Sequence, residues 1–124
     1  MRMKTSNQME NAEREENTEI IAHLYAMNMQ RITGKHMHHH LSKGRAAAML
    51  IKEMKKNVVE FTFNGQDGIT HKVKGTLARY DRDFRKLYQI NPNNRFIPYY
   101  NTKLKAWRTF QVTGLVAITC KSKL

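Results

Sequence analysis

At Asn57 the spacing of apolar residues changes period, and that change restricts the possible folds more than any other feature of the chain. Before it, in RAAAMLIKEMKKN, Ala46, Ala47, Leu50, Ile51 and Met54 recur at the spacing that puts side chains on one side of a helix. After it, Val59, Phe61 and Phe63 alternate with Val58, Glu60 and Thr62, the period of two of a half-buried strand. The chain is therefore expected to be α+β, with its helices first.

The helical part spans residues 18–57 and reads as two helices. Ile20, Ile21, Leu24, Met27 and Met29 stand near helical spacing behind Asn17 or Thr18 as a cap, and Thr33 and Gly34 mark the end. The second helix takes Ser42 as its cap, and Lys52, Lys55 and Lys56 complement the negative end of its dipole. Residues 1–17 contain no Val, Ile, Leu or aromatic residue and are expected to form a flexible acidic arm.

Residues 58–124 read as five short strands. Asn64 to Gly68 is a turn with two glycines available for positive φ, and Ile69 to Leu77 returns with Ile69, His71, Val73 and Gly75 on one face. An insertion at about 78–94 fits neither period and is expected to hold one helical turn. Arg95 to Tyr100, Ala106 to Val112 and Leu115 to Thr119 complete the set, joined by tight turns. Five short antiparallel strands after a helical element suggest a small barrel.

Charge narrows the function. The 124 residues hold 22 Lys and Arg against 10 Asp and Glu, a formal +12. Residues 1–20 carry three cations and five carboxylates, a balance of −2, which leaves +14 on the remainder. A body this basic attracts polyanions, of which nucleic acid is the commonest inside cells. No run approaches the roughly 18 apolar residues of a membrane span, and the opening MRMKTSNQMENAEREEN lacks the apolar stretch of a secretory signal. An intracellular protein without membrane association is expected. Lone Cys120 cannot form an internal disulfide and is read as a small buried hydrophobe.

Sites for single-stranded nucleic acid combine cations for phosphates with rings for bases. Lys72, Lys74, Arg79, Arg82, Arg85, Lys103, Lys105 and Arg108 are the expected phosphate contacts, and Tyr80, Tyr99 or Trp107 the stacking rings, on DNA or RNA. On a strand Trp107 and Arg108 point to opposite faces. If Phe110 and Val112 face inward, Trp107 faces out and Arg108 lies at a rim or bonds to backbone; if Trp107 is buried, the reverse holds. In RYDRDFRK, Arg79, Arg82, Arg85 and Lys86 either align as a cationic ridge or form a solvated face with internal salt bridges. His36 and His40 of HMHHH have helical spacing for a shared metal, but no cysteine pair or carboxylate completes four ligands, so solvated histidines are the expectation. No glycine-rich phosphate loop, nucleophile elbow or paired carboxylates are present, so neither catalysis nor a cofactor is expected.

Residues from about 46 to 118 resemble the Sm-like SH3 β-barrel proteins related to WYL domains, found largely in phages and their bacterial hosts. The matching pieces are the apolar-basic helix running into VVEFTF, the turn GQDG, the strand end VKGTL, then YYNTKLKAWRTF and VTGLVAI. The resemblance implies an SH3-like (Sm-like) barrel and a regulatory or nucleic-acid-binding protein of the bacterial cytoplasm or of a virion. It carries fold further than activity, since Trp107 is followed by Arg108 and Thr109 where the longer WYL pattern has Tyr and Leu. The alternative is a structural or protein-interaction module docking an acidic partner or a second copy of itself, for which the methionines of the helical part would supply an adaptable apolar surface.

Overall fold

Helix α1 (Arg2–Thr33) folds back onto helix α2 (Met37–Met54) to make an antiparallel helical hairpin. The computed structural model describes the backbone of residues 2–34 and 37–123 and the side chains of residues 18–34 and 40–119. By backbone, α1 runs through the region expected to be an acidic arm; the side chains of residues 1–17 lie outside the described residues. It ends as expected, where Gly34 takes a left-handed φ of 74° and its N–H donates to Gln30 O at 2.8 Å.

The face that α1 buries is the expected one only in part: Met29 is buried and Ile21 packs against the core, but Ile20, Leu24 and Met27 stay exposed. Tyr25 and Met29 are 1% exposed and Ala22 and Ala26 are fully buried, whereas Ile20 and Met27 are 53% exposed and Leu24 43%. Small residues at the seam decide this. Buried Gly44 of α2 lies so close to α1 that a Cβ there would stand 2.3 Å from Ala22 O. Backbones this close take small residues such as Ala22, Ala26 and Ala47, while Tyr25 and Met29 are buried in the core and Ile20, Leu24 and Met27 are left exposed. On α2 the expected stripe of Ala47, Leu50, Ile51 and Met54 is buried. Ser42 is a correction: α2 already begins at Met37, because nothing in the histidine run breaks a helix, and Ser42 sits exposed inside it.

The strands follow the expected order: β1 (Asn57–Asn64), β2 (Thr70–Thr76), β3 (Phe96–Asn101), β4 (Ala106–Gln111) and β5 (Leu115–Lys123), with a short helix α3 (Tyr80–Phe84) in the insertion. They form one antiparallel sheet in the order β4-β3-β2-β1-β5. Its end strands β4 and β5 are joined by a single 3-10 turn (Val112–Gly114). That turn rises about 2 Å per residue, while five flat strands spaced about 4.8 Å apart would separate β4 from β5 by about 19 Å. The sheet must therefore roll. Register shifts between β1 and β5, where β5 passes an extra residue opposite Glu60/Phe61 and opposite Thr62/Phe63, supply local bending. In the β1–β2 turn only Gly68 has positive φ, 77°; Gly65 does not, and Asp67 Oδ1 instead holds the turn by accepting Ile69 N–H at 2.9 Å.

The inner face carries Phe61, whose ring centroid lies 5.0 Å from Phe110 and 5.3 Å from Tyr99. Gly75 makes room for this stack, since a Cβ there would lie 2.7 Å from the Tyr99 ring. Tyr25, Met29, Leu50, Ile51 and Met54 of the helices join the same core, each fully buried aliphatic chain contributing about 1.5–3 kcal/mol. Met54 O, at the end of α2, accepts from Leu77 N–H at 2.8 Å and from Thr76 Oγ1 at 3.0 Å, which fastens helix to sheet and satisfies an orphan carbonyl.

Candidate functional site

Side chains on the outer face of the sheet line up across three strands. Thr76 of β2 stands opposite Tyr100 of β3, and Tyr100 stands opposite Trp107 of β4, with 5.6 Å between the two rings. Helix α3 lies over this row. Tyr80 and Phe84 set their rings edge-on to Trp107 at 5.5 and 5.0 Å. The Arg79 guanidinium rests on the Tyr100 ring, 4.0 Å from its centroid.

One carboxylate organises the cluster. Asp83 Oδ2 accepts from Arg79 Nε at 2.7 Å and from the Trp107 indole N–H at 3.0 Å, and its other oxygen lies 3.5 Å from Arg82 Nε. The hydrogen bond from Arg79, and then that from the Trp107 indole, hold the Asp83 carboxyl below the usual carboxylate range. Asp83 is placed there because α3 is a single turn, with Arg79 and Asp83 four residues apart at its ends. Next to the cluster a cavity of about 350 Å³ is lined by Thr76, Ala78, Arg79, Arg82, Tyr100 and Thr102. The Arg79 and Arg82 guanidinium groups give it cations, and the two threonines and Tyr100 give it a half-polar wall.

The expected site residues divide by their placement. Arg79 and Arg82 line the cavity. Lys72 and Lys74 are exposed on β2, with Lys72 Nζ 3.5 Å from Glu60, and Lys74 O accepts from Thr102 N–H of the cavity wall at 3.1 Å. Lys103 and Lys105 are exposed on the β3–β4 turn, which buried Asn101 holds by accepting from the N–H groups of Lys103 and Leu104 at 3.0 Å each. Tyr80 is half-buried between Trp107 and Tyr88.

One of the expected stacking rings departs from the expectation, and two alternatives left open by the sequence are decided. Tyr99 is 3% exposed with its ring in the core, so it offers no face to a base. Phe110 and Val112 face inward, so Trp107 is on the outside and Arg108, on the other face, is an exposed rim residue donating to Trp107 O at 3.0 Å. Arg85 leaves α3 in the left-handed region, φ 56°, so the ridge of cations is not continuous, and Asp83 lies between its members. Tyr100 and Asp83 tie the ring cluster together, and neither is among the expected contact residues. Ile97 was the available signal for Tyr100: a residue two before Tyr99 that must be buried sends Tyr99 inward and Tyr100 outward.

Burial, and then the neighbouring Tyr80, pushes the Tyr88 hydroxyl up to about 12; burial raises Tyr25 as well. Among the histidines, the side chains of His36, His38 and His39 lie outside the described residues, and His40 Nε2 is 2.9 Å from Thr33 Oγ1. No group of three potential ligands for a metal occurs among the described residues, and no helix among them is long and apolar enough to cross a membrane.

A family model described as WYL_2, Sm-like SH3 beta-barrel fold, matches residues 47–116. The match runs from the middle of α2 to the start of β5 and contains the whole ring cluster and its cavity. No curated protein and no solved structure matches the chain.

Proposed function

Since the chain belongs to the WYL_2 family of Sm-like SH3 β-barrels, we propose that it is a non-catalytic module whose outer sheet face binds single-stranded nucleic acid. The observation that carries this reading is the Arg79 guanidinium over the Tyr100 ring, 4.0 Å from its centroid, beside Arg82 and the cavity. A guanidinium plane backed by an aromatic ring is a surface on which a base stacks, and the same cations meet phosphates. Lys74, Lys103 and Lys105 extend the positive surface along the strand and the turn that border the cavity.

The test is anisotropy of labelled single-stranded DNA and RNA oligonucleotides with the full chain at two salt concentrations. Replacing Arg79 and Arg82 with Gln is expected to weaken binding at least tenfold and to flatten the salt dependence by about 0.7 in log–log slope for each phosphate no longer neutralised. Tyr100→Ala removes a stacking wall and is expected to cost about 1–3 kcal/mol. Arg108→Gln, on the other face, leaves the affinity unchanged. Absence of binding at low salt, or equal weakening in Arg108→Gln, refutes the reading.

A second reading has its own observation. The stripe Ile20, Leu24, Met27 on α1 is exposed, and an apolar stripe uncovered within its own chain suits a protein-interaction module. An acidic polypeptide that competes with the oligonucleotide at equal affinity in the anisotropy experiment would favour that reading.

A further inference from the structure

A second cavity, of about 470 Å³, opens between the helical hairpin and the segment that leads into β3. Its apolar lining is Ile21 from α1, Ala48 from α2 and Ile90 from the insertion. Lys52, at the end of α2, and Lys55 and Lys56 just after it stand on its rim, all exposed. This volume falls in the range of small-ligand sites, about 300–1,000 Å³, and the combination of apolar floor and charged edge is what such sites use to orient a ligand.

No described carboxylate is paired with the lysines. The two carboxylates that border the adjoining smaller groove are engaged: Glu19 accepts from Arg45 at 2.8 Å, and Glu53 accepts from Asn57 Nδ2 at 3.1 Å. Complementing the negative end of a helix dipole accounts for lysines on a solvated face. It does not account for three like charges gathered at the mouth of an apolar cavity, where an anion would relieve their mutual repulsion. Long aliphatic stems let each lysine lie along apolar surface while its ammonium group reaches the rim. The cavity also depends on α1, since Ile21 and Thr18 lie outside the segment 47–116 matched by the family.

We propose that this cavity binds an amphipathic organic anion, a single carboxylate or phosphate head on an apolar body, with the body on Ile21, Ala48 and Ile90 and the head among Lys52, Lys55 and Lys56. The two heads share one chemistry, and probes can separate them. Calorimetric titration of the full chain with decanoate, decyl phosphate, decanol and inorganic phosphate is the experiment. Both alkyl anions are expected to bind one per chain, at least tenfold tighter than decanol or inorganic phosphate, and the tighter of the two identifies the head. Replacing the three lysines with Gln is expected to reduce alkyl-anion affinity to that of decanol, and Ile90→Ser to weaken it severalfold, with circular dichroism confirming that each variant is folded. Decanol binding as tightly as decanoate would make the cavity merely apolar, and inorganic phosphate binding as tightly would make the charge generic. Either result, or unchanged affinity in the triple variant, overturns the proposal.

Discussion

Trp107 and Tyr88 are the residues whose surroundings say most. The alternation of a strand already separates Trp107 from Arg108 in the sequence, but not which of them faces solvent. Phe110 and Val112 make that choice, since their burial fixes the parity of β4. Tyr99 and Tyr100 are open to the same argument through Ile97, which an expectation of stacking on Tyr99 overlooks. Asp83 was not legible, because its partners Arg79 and Trp107 come together only when α3 folds over the sheet. Tyr88 leads to a pH prediction. With its folded hydroxyl raised to about 12 from the ordinary 10.0, the unfolded chain loses its proton first as the solution becomes alkaline. The stability from protonated Tyr88 is thus complete below pH 10 and is lost as pH rises through about 12. Urea midpoints measured across this window are expected to fall, and Tyr88→Phe, which has no proton to lose, is expected to fall less. An equal decline in both chains would assign the effect to other groups.

Among the elements, the helical hairpin rests on its closest approach. At Gly44 two effects of a methyl group oppose each other. Alanine gains about 1 kcal/mol of helix propensity over glycine, whereas forcing atoms into a filled seam costs about 1–3 kcal/mol. The added Cβ would meet backbone, Ala22 O at 2.3 Å, which cannot swing aside as a side chain can. Gly44→Ala is therefore expected to lower the thermal midpoint followed by circular dichroism, and a rise would show that the helices separate freely. This close approach also explains why α2 was legible and the buried face of α1 only in part. The stripe of α2 is apolar and periodic in its own right, but the choice between Ile20, Leu24 and Met27 and the smaller Ala22 and Ala26 depends on how near α2 comes. Sequence periodicity does not contain that distance.

Taken whole, the molecule is one core shared by a helical hairpin and a rolled sheet, and the change of period at Asn57 located the junction between them. How the strands close is not written in that period. Every strand pairing but one joins neighbours along the chain; the exception brings β5 onto β1, Phe63 opposite Leu115 and Asn57 opposite Lys123. That one pairing has a kinetic consequence. The β1–β2 hairpin closes a short loop, whereas joining β5 to β1 needs the whole intervening chain to be drawn in, an entropy cost met only after the nearer strands are in place. The rolling of the sheet is then the late event of folding. Leu115→Ala, at a site 2% exposed, is expected to speed unfolding while leaving the refolding rate nearly unchanged, and Val73→Ala in the early hairpin to slow refolding. Stopped-flow rates for the two variants decide the matter: slowed refolding in Leu115→Ala would mean that the strands farthest apart in the chain meet first.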